Sequence, residues 1–138
     1  MIIHFVRIGL IALVTTSVLA AEEAGERPAA VANQLLTQAL PNIPGKEVGM
    51  LTVEYPPGGT SGAHRHNANT FVYMLEGSVI MRVEGGPEVT LHPGDTFYES
   101  PTDVHTVSRN ASDTKPAKFL VVFVKDQGVP TTTPASQK

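Results

Sequence analysis

Gly58-Gly59-Thr60-Ser61-Gly62-Ala63-His64-Arg65-His66-Asn67-Ala68-Asn69-Thr70-Phe71-Val72-Tyr73-Met74-Leu75-Glu76-Gly77 decides how this chain reads. His64 and His66 stand two residues apart, and alternate residues of a β-strand project from one face, so both imidazoles can reach a single point. Thr70 to Leu75 is β-branched and aromatic, which favours a strand, and Glu76-Gly77 is a tight connection into Ser78 to Val83, giving a hairpin. The segment therefore places two candidate metal ligands beside a β-hairpin.

Upstream, Leu51, Val53 and Tyr55 alternate with Thr52 and Glu54 until Pro56-Pro57-Gly58-Gly59 ends the strand. Downstream, Val89 and Leu91 mark a short strand, His92-Pro93-Gly94-Asp95 a turn, and Thr96 to Glu99 another strand. A loop over Ser100 to Asp103 then delivers Val104-His105-Thr106-Val107, which contains a third histidine. The continuous apolar run Phe119 to Val124 reads as a central strand. Many short strands separated by Gly, Pro, Asn and Asp predict an all-β sandwich or barrel over residues 47–125. Val31, Leu35, Leu36, Ala39 and Leu40 lie near helical spacing before Pro41, so a short N-terminal helix is expected within a lead-in over 21–46. Residues 126–138, rich in Thr and Pro at their end, are expected to form an edge segment and tail.

The 138 residues suit one globular domain after a removable leader. Arg7, the apolar run Ile8 to Leu19 and the small-residue pattern Val18-Leu19-Ala20 predict a signal peptide over 1–20, cleaved after Ala20. The apolar run is shorter than the roughly 20 residues that span a bilayer, so no stable membrane insertion is expected after cleavage. The mature protein is expected to be secreted or periplasmic. A formal net charge of −3 without a basic patch gives no reason for a nucleic-acid partner. Cysteine is absent, which excludes thiolate catalysis and leaves packing, with any bound metal, to supply stability. Asn110-Ala111-Ser112 fits the glycosylation sequon.

On these residues the chain resembles the cupin superfamily. The family's first motif, a glycine, His-x-His, a glutamate and a second glycine, is matched by Gly58, His64-Arg65-His66 and Gly77, with Thr70 where the glutamate is expected. The second motif is matched by Gly94, Pro101, His105 and Asn110, the proline and asparagine each displaced by one. The resemblance implies a double-stranded β-helix, or jelly-roll barrel, with a divalent metal held by His64, His66 and His105. Fe, Mn, Ni, Co, Cu and Zn all suit neutral imidazoles. Thr70 is the fourth-ligand or orienting position, and its neutral hydroxyl leaves three outcomes: a three-histidine centre as in some cupin oxygenases, a threonine that orients a metal-bound water, or weak binding. Glu99, Glu76 and Tyr98 are alternative donors. None stands at the motif position, and a solvated strand edge, a turn carboxylate and a packed ring are the readings the sequence favours for them. Val72 and Met74 share parity with Thr70 and are expected beside the metal, with Phe71, Tyr73 and Leu75 on the opposite face. His92 is expected to face solvent, and Arg65 to point away from its histidine neighbours.

The resemblance implies a metal-dependent enzyme, dioxygenase-like, acting on a small enolic, phenolic or dicarbonyl compound. Isomerase or lyase chemistry and non-catalytic binding of metal or a small ligand are the alternatives, because one fold carries many activities. A homodimer through the barrel edges is a candidate assembly. The sequence identifies no general acid or base.

Overall fold

The alternation in Leu51-Thr52-Val53-Glu54-Tyr55 turns alternate side chains inward along strand β2 (Lys46–Tyr55), ending on Tyr55, which is 2% exposed. A computed structural model describes residues 27–136; the expected leader and its cleavage point lie outside the described residues. The other strands are β1 (Val31–Ala39), β3 (Thr60–Ser61), β4 (His64–His66), β5 (Ala68–Glu76), β6 (Val79–Val83), β7 (Val89–Leu91), β8 (Thr96–Glu99), β9 (His105–Asn110), β10 (Ala117–Asp126) and β11 (Thr132–Pro134). They form two antiparallel sheets, one in the order β1-β2-β10-β5-β8, the other in the order β11-β4-β9-β6-β7 with β3 paired to β9. The all-β, two-sheet expectation is met, and no described residue is helical.

The expected N-terminal helix over 31–40 is instead strand β1. It pairs antiparallel with β2 from Val31 opposite Glu54 to Ala39 opposite Glu47, with an irregularity between Gln34 and Leu36. A lone helix of about ten residues is marginal in water, whereas the open edge of β2 offers partners to the backbone groups that β1 turns toward it. All nine β1 residues are exposed, so backbone pairing rather than burial of an apolar helical face decides the conformation.

Strand β10 runs through the middle of its sheet between β2 and β5. Its run is apolar on both faces, but burial alternates: Phe119, Val121 and Phe123 are buried, while Leu120, Val122 and Val124 are half-buried. The inward side chains meet Val72 and Met74 of β5 and Val79 and Met81 of β6, closing a core between the sheets. Phe71, Tyr73 and Leu75 face outward, Phe71 against Tyr98 with ring centroids 5.3 Å apart.

Asn110, at the end of β9, fastens two connections, β2–β3 and β9–β10. Its buried amide nitrogen donates to the carbonyls of Pro56 at 3.0 Å and Lys115 at 2.8 Å, while its oxygen accepts from the Ser112 amide at 2.9 Å. The sequon asparagine is thus spent on holding loops together. Gly77 turns β5 into β6 at φ 69°.

Candidate metal centre

His64 and His66 occupy both ends of the three-residue strand β4, so strand alternation sends both rings inward and Arg65 outward. Arg65 Nη1 donates to the Thr102 carbonyl at 3.0 Å. His105 opens β9 directly opposite His64 in the β4–β9 pairing, and His66 stands opposite Thr132 of β11. Residues 41 positions apart in sequence are thereby made neighbours by a single ladder. One ligand-capable atom from each of the three histidines lies within 4.8 Å of the others.

Local bonds orient the first two rings. His64 Nδ1 lies 2.7 Å from the Gly62 carbonyl, which can only accept, so Nδ1 carries the proton and a neutral ring presents a lone pair at Nε2. His66 Nδ1 meets Thr132 Oγ1 at 3.1 Å, and the Nε2 atoms of His64 and His66 are 3.2 Å apart. Two lone pairs cannot face each other at that distance without a proton or a cation between them. Metal–imidazole bonds of about 2.0–2.1 Å at angles near 90–110° place adjacent nitrogens roughly 2.9–3.4 Å apart, which brackets this spacing.

His105 is 3% exposed, and neither of its ring nitrogens has a hydrogen-bond partner. Thr70 Oγ1 is likewise buried and unpartnered. Buried polar atoms are nearly always satisfied, so this cluster of orphans marks a place built for something else to bind. The donor set therefore fits a divalent transition metal.

Glu99 is the residue that the sequence reading misplaced. It is no solvated strand edge: it is 2% exposed, sits opposite Thr70 in the β5–β8 ladder, and brings Oε2 to 3.3 Å from His105 Nδ1 and 4.0 Å from His66 Nε2. A usable signal was present, because Glu99 shares parity with the apolar Phe97 two residues earlier. Glu76 is exposed at its turn. Tyr98 is half exposed on the outer face and donates to Asn69 Oδ1 at 2.8 Å. His92 faces solvent, with Nδ1 3.6 Å from Asp95.

Burial sets the protonation of His66, His105 and Glu99. It lowers His66 to about 4, helped by the charge His64 would carry, and lowers His105 to about 3, helped by His64 and then His66. Burial, followed by the nearby Asp103, raises Glu99 to about 7. The His66 and His105 imidazoles are accordingly neutral near pH 7 and free to act as ligands.

These shifts carry a pH signature. His66 and His105 have folded values below the ordinary 6.5, so unfolding takes up protons: their stabilisation is complete above about pH 6.5 and is lost as pH falls through about 4 and 3. Glu99, raised from 4.5, works in the opposite sense between about 4.5 and 7. Two imidazoles against one carboxyl leave a net gain as pH rises from 4.5 to 6.5. Chelator-treated protein is expected to show a melting temperature that climbs over this interval; a fall would contradict the buried-neutral assignment.

A cavity of about 130 Å³ opens between the sheets, lined by the three histidines, Thr70 and Glu99 with Val72, Phe119, Val121 and Phe123. Met74 lies in the core rather than in this wall. Part of the polar wall is a hydroxyl cluster, in which Tyr55 Oη lies 2.5 Å from Ser61 Oγ and 2.8 Å from Ser108 Oγ.

Against known proteins, the family described as Cupin domain matches residues 51–123, more than half of the 138 residues. No curated protein matches the sequence. Among solved structures, a conserved protein with a double-stranded β-helix domain from Klebsiella pneumoniae is 17% identical at a TM-score of 0.61, covering 80% of this chain and 90% of that one. DMSP lyase DddQ from Ruegeria pomeroyi is 23% identical at 0.56, covering 64% of this chain but only 43% of the lyase. A recombinant oxalate oxidase in complex with glycolate is 21% identical at 0.57, covering 76% and 54%. At these identities the likenesses show the fold alone.

Proposed function

Because the chain belongs to the cupin family, we propose that His64, His66 and His105 hold one divalent transition metal and that the protein is a metal-dependent, dioxygenase-like enzyme for a small oxygen-chelating compound. The observation that carries this reading is His105, buried with both ring nitrogens unpartnered beside the converging Nε2 atoms of His64 and His66. When bound, the ion supplies Lewis acidity toward a bidentate oxygen donor or a centre for dioxygen chemistry. Imidazole donors suit Fe, Mn, Ni, Co, Cu and Zn.

Cavity size narrows the substrate. A dry cavity of about 150 Å³ admits benzene, so the smaller 130 Å³ here suits a ligand of about six or seven non-hydrogen atoms. That favours an enolic or dicarbonyl compound over a substituted phenol. The apolar wall of Val72, Phe119, Val121 and Phe123 keeps water from the carbon skeleton, while the Tyr55, Ser61 and Ser108 hydroxyls provide hydrogen bonds on one side. Proteins of similar shape named for DMSP and oxalate support chemistry on small molecules. The Ile8 to Leu19 run before Ala20 supports an exported location.

Metal-loaded protein is expected to consume dioxygen in step with the loss of a short β-diketone such as pentane-2,4-dione. Turnover without dioxygen uptake would replace the oxygenase reading with isomerase or lyase chemistry. A fully loaded protein that turned over none of a panel of short diketones and hydroxy acids would leave a binding protein.

A further inference from the structure

The family motif expects a carboxylate at Thr70, and the ladder partner of Thr70 is Glu99. We propose that Glu99 is the carboxylate ligand of this centre, delivered from β8 in place of β5. The inference rests on the three-histidine reading and adds a fourth protein donor to it.

Three observations support the exchange. Glu99 is 2% exposed, and among the described residues the only basic side chains beside its carboxyl are the imidazoles of His66 and His105. A carboxylate cannot remain charged in such a place without strong compensation, which two neutral imidazoles do not give and a divalent cation does. Its Oε2 lies 4.0 Å from His66 Nε2 and 3.3 Å from His105 Nδ1, the latter being the spacing of adjacent ligands on one ion if His105 binds through that nitrogen. Thr70, fully buried with its hydroxyl unpartnered, leaves on β5 a side chain too short to occupy the place that the β8 carboxylate takes. A carboxylate at both positions would set two like charges side by side across one ladder rung.

The site can therefore be moved back. Co(II) titration, followed by visible absorption and by competition with a chromophoric chelator, is run on wild type, Glu99→Gln, Glu99→Thr, His105→Ala and the double exchange Thr70→Glu/Glu99→Thr. Glu99→Gln and Glu99→Thr are expected to bind Co(II) about 100-fold more weakly, at the upper end of what even outer-shell changes cost metal sites. The double exchange is expected to recover most of that loss. Metal-free Glu99→Gln is expected to melt no lower than metal-free wild type, since a neutral amide replaces an uncompensated carboxylate.

Glu99→Gln binding within twofold of wild type, while His105→Ala loses Co(II), would overturn the ligand role and leave the histidine centre standing. Failure of the double exchange to improve on Glu99→Thr would overturn the strand exchange. Wild-type affinity in His105→Ala would instead sink the histidine centre itself.

Discussion

His105→Ala is expected to lower divalent-metal affinity by at least about a thousandfold and to abolish the thermal shift that metal gives the wild-type protein. The expectation follows from placement. His105 comes from β9 while His64 and His66 come from β4, and without it the cluster keeps two imidazoles on one short strand. An ion at about 100 times its dissociation constant stabilises a fold by about 2.7 kcal/mol. For a domain of this size that corresponds to a melting shift on the order of 10 °C. Metal-free His105→Ala should melt close to metal-free wild type, because the substitution removes two unpartnered buried nitrogens along with some packing. The check is a pair of melting curves per protein, with and without Co(II). A wild-type shift retained in His105→Ala would show that the metal sits elsewhere.

Gly77→Ala is expected to be the most damaging single methyl in the barrel. An added Cβ would lie 2.5 Å from the Pro116 carbonyl oxygen and 2.9 Å from Ala117 Cα, both backbone atoms of the segment entering β10. The φ of 69° adds the cost of left-handed backbone for a residue with a side chain. Overpacking of about 1–3 kcal/mol and a conformational cost of about 1–2 kcal/mol together remove some 2–5 kcal/mol. Gly85 separates the two terms: its φ is 78°, but nothing lies within 4 Å of an added Cβ. Gly85→Ala should show the conformational cost alone. Chemical denaturation of both variants tests this, and equal losses would mean that the contact with Pro116 and Ala117 does not matter.

The parts of this architecture that are local in sequence could be read there. Alternation in Leu51 to Tyr55 gave the inward face of β2, and the spacing of His64 and His66 gave two ligands on one side of β4. Strand β1 was illegible for a physical reason. Val31, Leu35, Leu36 and Ala39 fit a helical face as well as a strand, and the deciding term is the open edge of β2, which no local pattern encodes. Glu99 failed differently. Its importance comes from standing opposite Thr70, a cross-strand relation between residues far apart in the chain, so the local pattern offered it as an alternative donor but favoured a solvated strand edge. The third ligand could be reached only through the family resemblance, because the pairing of His64 with His105 is also a long-range register.

The proposed centre requires His64, His66 and His105 to converge on one ion. Imidazole resonances followed by NMR during titration with paramagnetic Co(II) test it most directly, with the solvent-facing His92 as an internal control. The rings of His64, His66 and His105 are expected to shift together, saturating at one equivalent, while His92 stays in place. Saturation with His92 shifting and His105 unmoved, or no response of the three rings at millimolar Co(II), would contradict it.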